Sequence, residues 1–385
     1  MDATPPSDLL KVASIVRQGT ARTRGEISRA LSIRSSTVSE LVGELVANDL
    51  LLESLVRTSG RGRPTAALRF NDQRFGAIFV SVVDRRLVAK AVDLSYRVLA
   101  ELDCVPPDDA DNTRMAACIR DLVERMAQSF PAGIELAAVV LSLSGLLDVA
   151  RGIWCFSSRW PALSNLPVTD AFAHLPWPVT LVRNLDAELA GIRMAQDYPA
   201  QESILLLHWG HGIGASLYTD GAVINRERGR FCEIGHWGLG NSKGRPCTCG
   251  NRDCLETVAA LWALGPQLRA AFPDLPLDES SLALELGRID LMSVGAMQEA
   301  LSQMLRLTAN LCRLFFPDRV ILTGPFVQNP LIFRQFVDAI SSAPLVRSLD
   351  IVRVSVNEIG QRDEILGALS QPFEQLLQRY LTTDG

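Results

Sequence analysis

The chain has 385 residues, of which 48% are hydrophobic, and its formal net charge at pH 7 is -5. This length and composition exclude a disordered tail protein and allow two or three globular domains, each with its own core. No apolar run approaches the roughly eighteen residues that span a membrane, and the N-terminus lacks the basic and apolar regions of a signal peptide. We therefore expect a cytoplasmic protein without a membrane partner.

Charge is distributed unevenly along the chain. Residues 1–70 hold ten Lys or Arg against seven Asp or Glu, so this part carries +3 and the remainder carries -8. A mildly basic head therefore precedes an acidic body. The eight cysteines do not have the spacing of a secreted disulfide framework, and a reducing compartment keeps them as thiols.

The first 72 residues are predicted to form a winged helix-turn-helix domain. Apolar residues recur at intervals of three and four in three segments, and two β-prone segments follow on either side of a basic turn with the sequence TSGRGRP. The predicted helices cover 9–18, 24–31 and 35–48, and the predicted strands cover 50–56 and 65–70.

In such a domain the third helix enters the major groove of DNA, and the basic wing contacts the minor groove or the phosphate backbone. The polar N-terminal side of the third helix and the wing therefore supply the candidate DNA contacts. They are Arg34, Ser36, Thr37, Ser39, Glu40, Arg61 and Arg63. A three-helix bundle that mediates protein contacts is the alternative.

From Arg74 onward, strands alternate with helices, which indicates an α/β body in two lobes with a cleft between them. We place the first lobe at 73–200 and the second at 201–385, and the closing helix can pack back on the first lobe. A glycine-rich turn at 209–214 lets backbone N–H groups approach an anion, although a tight hairpin explains it as well. The predicted helices of the body cover 111–130, 186–196, 296–315 and 364–380.

Three cysteines lie within eight residues in the sequence CTCGNRDCLE, and a histidine precedes them by eleven residues. Cys247, Cys249, Cys254 and His236 can complete a tetrahedral shell around Zn²⁺ with no open position, which is typical of a structural site. The Cys-x-x-Cys spacing of a redox pair is absent. Buried inert thiols are the alternative.

These motifs together resemble the ROK family of sugar-responsive repressors and sugar kinases, and specifically its repressor branch. The resemblance rests on a winged helix with a GRGRP wing, followed by SLSGLLD, GHGIG, EIGH and CTCGNRDCLE. It implies a two-lobed, actin-like ATPase (sugar kinase-like) fold in which the EIGH histidine and the three cysteines hold zinc. It also implies sugar contacts from Gly145, Glu233, His236 and Glu256, with Asp186 as the carboxylate of a degraded Asn-Asp motif.

The sequence departs from the kinases of this family on the nucleotide side. The family's Asp-x-Gly-Gly-Thr phosphate loop is replaced by SVVDR at 81–85, and its paired glycines are replaced by TGPF at 323–326. Bulky valines prevent close approach of phosphate, and proline lacks an N–H donor. We expect a non-catalytic protein.

The resemblance and the basic head together predict a DNA-binding transcriptional regulator, most simply a repressor of carbohydrate genes, whose kinase-like body binds a sugar. Double-stranded operator DNA, a sugar effector and a second copy of the chain, as a homodimer or tetramer, are the expected partners. An active sugar kinase with an extra domain and a regulator that responds to a protein partner are the alternatives.

Overall fold

A computed structural model describes residues 7–56, 65–240, 244–342 and 350–382 of the chain. The N-terminal unit consists of three helices and an antiparallel strand pair, as predicted. Side chains at the helix starts cap two of the helices, since Ser7 Oγ accepts from the Leu10 amide and Thr23 Oγ1 accepts from the Glu26 amide. The elements are α1 Asp8–Arg17, α2 Arg24–Leu31, α3 Ser35–Ala47, β1 Leu51–Val56 and β2 Thr65–Phe70.

The first lobe of the body is a five-stranded mixed sheet in the order β10-β6-β3-β4-β5, with a three-stranded sheet β7-β8-β9 beside it. Strands β3, β6 and β10 run parallel, so their C-terminal ends lie at the same edge of the sheet. The segments that follow these strands line the cleft. The elements are β3 Phe75–Val83, β4 Arg86–Asp93, β5 Val98–Cys104, α4 Asn112–Gln128, β6 Glu135–Leu143, β7 Leu146–Asp148, β8 Ile153–Phe156, β9 Ser164–Pro167, β10 Val179–Arg183 and α5 Asn184–Ala195.

The second lobe is another five-stranded mixed sheet, in the order β13-β12-β11-β14-β15. Among the described residues, no helix has the apolar length that a membrane crossing requires. The elements are β11 Ile204–Trp209, β12 Ile213–Thr219, β13 Ala222–Val223, α6 Glu256–Ala259, α7 Leu261–Ala271, α8 Glu279–Glu285, α9 Gly295–Phe315, β14 Arg319–Thr323, α10 Pro330–Ser341 and β15 Arg353–Val356.

The last helix, α11 Arg362–Thr382, leaves the second lobe and packs on the first lobe and on the N-terminal unit. One continuous hydrophobic cluster joins Val12 of α1, Phe75 of β3 and Phe373 of α11. Arg74 strengthens this junction, because its guanidinium donates to the carbonyl of Asn48 at 3.2 Å and to the hydroxyl of Tyr380 at 3.3 Å. The N-terminal unit is therefore joined to the body by a shared core.

Helices α5 and α11 cross with their backbones in direct contact. A Cβ atom at Gly367 would lie 1.9 Å from the carbonyl oxygen of Ala187, and one at Gly191 would lie 1.8 Å from the carbonyl oxygen of Asp363. Real Cβ atoms do not approach so closely, so both positions require glycine. This crossing determines how α11 lies against the first lobe.

The substitution Gly367→Ala should lower the free energy of unfolding by about 2 kcal/mol or more, because the two helix backbones must separate to admit a methyl group. The measurement is denaturant unfolding followed by circular dichroism. Gly43→Ala in α3 is the control, because a Cβ atom there meets nothing within 4 Å. An equal loss of stability in both variants would contradict the proposed close contact.

Candidate functional site

A cavity of about 220 Å³ lies between the two lobes. The first lobe contributes the β3–β4 turn, the segments that follow β6 and β8, and the start of α5. The second lobe contributes the glycine-rich turn between β11 and β12, the carboxylates Glu233 and Glu256, and the start of α8. This mixture of hydroxyl, carboxylate, imidazole and backbone groups suits a small polar ligand.

Three cysteines and one histidine meet beside this cleft. The ligand atoms of His236, Cys247, Cys249 and Cys254 all lie within 4.8 Å of one another, and the cysteines are free thiols. Nδ1 of His236 is 3.5 Å from Sγ of Cys247, and the Sγ atoms of Cys249 and Cys254 are 3.6 Å apart. Sulfur ligands about 2.3 Å from a tetrahedral zinc ion lie about 3.8 Å apart, so this spacing fits such an ion.

Local turns bring these ligands together. His236 ends a 3-10 turn, and the amide of Gly250 donates to the carbonyl of Cys247 at 3.0 Å. Gly250 has a φ of 90°, a left-handed conformation that glycine adopts at little cost. A β-bridge between Gly238 and Cys254 connects the histidine side of the loop with the last cysteine. The four ligands therefore converge without help from a distant element.

Two carboxylates stand between this cluster and the cleft. Glu256 begins α6 and is only 4% exposed, and its Oε1 accepts a hydrogen bond from the Ile213 amide at 3.1 Å. Glu233 is more exposed, and its Oε1 lies 3.9 Å from Nη2 of Arg183. Both line the cleft together with His236. The cysteine loop thus holds two acceptors of hydroxyl hydrogen bonds at one wall of the cavity.

Gly145 also lines the cleft, at the end of the first-lobe sheet. Its φ of 94° lies in the left-handed region, and a Cβ atom there would be 2.3 Å from the carbonyl oxygen of Phe156. The ring of Phe156 in turn contacts the ring of His236 with a centroid distance of 6.0 Å. Glycine at this position therefore allows β8 to approach and places an aromatic ring beside the histidine.

Asp186 is buried beside the cleft and not exposed to it. Its side chain is only 1% exposed and does not line the cleft, because its Oδ1 accepts from Arg183 at 3.1 Å and from Ser216 Oγ at 2.7 Å. Helix α5 begins at Asn184, two residues earlier than predicted, so Asn184 and Leu185 face the cavity instead. Successive helix residues are rotated by about 100°, so a shift of one or two positions changes which side chain meets the cleft.

The glycine-rich turn separates these carboxylates from a second charged group, which the sequence analysis did not single out. Glu279 Oε1 accepts from the amide of His211 at 2.5 Å and lies 3.1 Å from Nη2 of Arg159, and its Oε2 lies 3.7 Å from Nε2 of His208. Burial and the nearby Arg159 lower the pKa of His211 to about 3, so its imidazole is neutral. Arg159 and Glu279 are 120 residues apart, and no local motif joins them.

The candidate DNA contacts on α3 lie on the face that points away from its core. Val38, Val42 and Leu45 are fully buried on one side of the helix. On the other side Arg34, Ser36, Ser39 and Glu40 are exposed and Thr37 is half-buried. Arg61 and Arg63 lie outside the described residues.

A sequence model of the ROK family matches residues 85–371, which is most of the chain. The chain belongs to the ROK family. Among its relatives is the DNA-binding transcriptional repressor Mlc of Escherichia coli K12, with 22% identity over 365 residues that cover 90% of this chain and 87% of Mlc. The alignment with Mlc therefore extends beyond residues 85–371 into the N-terminal unit, which is called the winged unit below.

Solved structures of ROK proteins share this fold. A ROK family transcriptional regulator described as a homolog of the E. coli MLC protein superposes with a TM-score of 0.70 at 20% identity and covers 96% of both chains. A ROK family glucokinase from Streptomyces griseus, in complex with glucose and AMPPNP, superposes with a TM-score of 0.60 at 17% identity over 77% of this chain and 98% of the glucokinase. At these identities the similarity establishes the fold alone.

The cleft contains a carboxyl group that is protonated at neutral pH. Glu364 of α11 accepts from Ser142 Oγ at 2.6 Å, and burial raises its pKa from 4.5 to about 8, with Glu188 adding to the shift and Lys90 opposing it. Below pH 4.5 this carboxyl is neutral in both the folded and the unfolded chain. Between pH 4.5 and 8 only the unfolded chain releases the proton, so rising pH lowers stability in this window.

We expect Glu364→Gln to remove this dependence of stability on pH, because the amide of glutamine stays neutral across the whole pH range. The variant should show a flatter dependence of Tm on pH between 4.5 and 8 and should be more stable than the wild type at the upper limit. Thermal unfolding at several pH values provides the measurement. Glu285→Gln, at the solvent-exposed end of α8, should retain the wild-type dependence. A Glu364→Gln profile parallel to that of the wild type would disprove this account.

Proposed function

We propose that this ROK protein is a DNA-binding transcriptional repressor of carbohydrate genes whose kinase-like body holds a sugar effector. The observation that carries the proposal is that one chain contains both a winged helix and a ROK body, which share a hydrophobic core. The cleft of the ROK body is lined by Glu233, His236 and Glu256. The relative Mlc, named a DNA-binding transcriptional repressor, aligns across both parts. The proposal places the protein in the cytoplasm, where operator DNA lies.

The winged unit supplies the DNA contact in this proposal. Arg34 directly before α3 and the polar residues Ser36, Thr37, Ser39 and Glu40 in its N-terminal half have side chains of a size that can reach base edges. The predicted wing adds Arg61 and Arg63. Operators of winged helices are commonly two-fold symmetric, so a homodimer or a tetramer of this chain is the proposed binding species. A sugar that prefers one arrangement of the paired units would change operator affinity.

Replacing Arg34, Arg61 or Arg63 with alanine should weaken binding to the DNA upstream of the protein's own gene about tenfold. Each change removes one contact between a cationic side chain and DNA. Electrophoretic mobility shift at low salt provides the measurement. Arg288→Ala, which removes an exposed arginine of the second lobe, is the charge-matched control. Unchanged affinity in all three variants would refute these contacts, and no shift with the wild type would refute the DNA-binding role.

We propose zinc as the ion of the cysteine cluster, held by His236, Cys247, Cys249 and Cys254. Three thiolates and an imidazole are the donors that zinc prefers in structural sites. When bound, the ion would brace the loop that carries Glu233 and Glu256. Because Nδ1 of His236 faces the cluster, its Nε2 on the other side of the ring remains for a ligand in the cleft.

The metal proposal predicts one zinc per chain, to be measured by elemental analysis of purified protein. Cys249→Ser should lose the zinc and lower Tm, because folding and metal binding are coupled. Cys312→Ser, at a buried thiol in α9 away from the cluster, should retain the full zinc content. Equal zinc content in the two variants would exclude the proposed ligands.

The sugar site of the proposal consists of Gly145, Glu233, His236 and Glu256, with Asn184 replacing Asp186. Paired carboxylates, an imidazole and an amide can accept and donate hydrogen bonds to vicinal hydroxyls. Ring CH groups of a sugar can pack on the Phe156 ring, which lines the same cavity. The effector of this proposal is therefore a neutral monosaccharide or a derivative of one.

The kinase alternative is disfavoured by two residues at the cleft. Leu185, an aliphatic side chain, faces the cavity at the start of α5 and cannot accept a proton from a hydroxyl. Pro325 follows Gly324, which lines the cleft, and offers no backbone N–H to a phosphate. These substitutions support a body that binds without phosphoryl transfer.

A thermal-shift screen of hexoses, pentoses and amino sugars tests the effector role. A sugar that binds the folded state should raise the Tm of the wild type and of the surface variant Glu285→Ala, and Glu233→Ala should lose the response. The same sugar supplied with ATP should release no ADP in a coupled assay. The absence of any response across the panel would favour regulation by a protein partner, and ADP release would favour the kinase.

A further inference from the structure

Glu279 is a half-buried carboxylate at the interface of the two lobes, and a sugar site does not explain its role. It begins α8 in the second lobe, and its side chain is 17% exposed. Three donors of different kinds surround it: the amide of His211 at 2.5 Å, the guanidinium of Arg159 at 3.1 Å and Nε2 of His208 at 3.7 Å. A backbone N–H, an arginine and an imidazole are the groups that proteins use to bind oxyanions.

The glycine-rich turn is shaped to receive this anion. A Cβ atom at Gly210 would lie 2.7 Å from Oε1 of Glu279 and 2.7 Å from Nε2 of His208, so the carboxylate and the imidazole occupy space that any other residue would fill. Despite its burial, the pKa of Glu279 is lowered, with Arg159 and His208 as the favourable causes, and the pKa of His208 is raised by Glu279. The group is therefore an ionised carboxylate in a site built for negative charge.

The same residue connects the two lobes. Arg159 belongs to the first lobe, in the segment after β8, whereas Glu279 and His211 belong to the second. Next to this ion pair, Asp84 in the β3–β4 turn of the first lobe accepts from the backbone amide of Glu279 at 2.6 Å, and its other oxygen lies 3.4 Å from Ser280 Oγ. Charge pairing and a backbone hydrogen bond thus hold α8 against the first lobe at one point.

We propose that Glu279 is a built-in anion that fills an oxyanion site formed by His211 N–H, Arg159 and His208, and that it thereby latches the two lobes together. Because the carboxylate is tethered to the site, its effective concentration is high and an external anion of the same size cannot compete. Removal of the carboxylate opens the site to inorganic phosphate, which offers oxygens to the same three donors. This inference stands apart from the repressor proposal, since it involves neither the winged helix nor the sugar-facing carboxylates.

The experiment compares the Tm of the full chain in inorganic phosphate and in chloride of equal ionic strength. Glu279→Ala should lose stability in chloride and regain about 2 °C or more in millimolar phosphate, whereas the wild type should show no phosphate-specific rise. The double variant Arg159→Ala/Glu279→Ala should lose the response, because the principal cation is gone. Glu285→Ala at the other end of α8 is the control for a change of net charge and should behave as the wild type does.

A second variant covers the case in which Glu279→Ala does not fold. Glu279→Ser vacates the site as alanine does and keeps a polar side chain at the start of α8, so it should also gain a phosphate response. The proposal is supported if phosphate stabilises a Glu279 variant and not the wild type or the double variant. It is overturned if phosphate stabilises all proteins alike, or if neither Glu279 variant responds.

Discussion

The crossing of α5 and α11 is the contact on which the relation between the parts of this protein depends. Its two backbones meet at Gly191 and Gly367, where no side chain fits. The start of α5 lines the cleft, and α11 begins there with Glu364 and extends about 30 Å to Leu381, which packs in the core shared with α1. A pair of helices in backbone contact has little freedom to slide, and α11 joins the floor of the cleft to the winged helix as one continuous helix.

This arrangement gives an allosteric repressor a physical route without a flexible linker. Coupling between two sites requires an element whose position both sites affect. Here α11 lines the cleft with Glu364 and packs in the core that contains Val12 of α1, and Arg74 adds hydrogen bonds from the residue before β3 to Asn48 at the end of α3 and to Tyr380 near the end of α11. The winged unit is therefore packed directly against the first lobe and α11.

The cleft itself has two halves that differ in chemistry, separated by the glycine-rich turn. On one side, Gly212 faces Glu256, whose neighbours are the cysteine cluster and Glu233. On the other side, Gly210 faces Glu279 and its cationic partners. The first half presents the partly exposed carboxylate of Glu233, and the second half is already neutralised within the protein. A ligand therefore finds hydrogen-bonding capacity mainly on the side of the cysteine cluster.

The amino-acid sequence by itself determined the features whose causes are local. The helices of the winged unit follow from apolar spacing, and the convergence of Cys247, Cys249 and Cys254 follows from a turn of a few residues, so pattern and spacing were sufficient. Tertiary structure decided the rest. The orientation of Asp186 depended on where α5 begins, and the pairing of Arg159 with Glu279 depended on how two lobes meet. Local periodicity contains no information about contacts between residues far apart in the chain, because those contacts arise only when separate elements pack against one another.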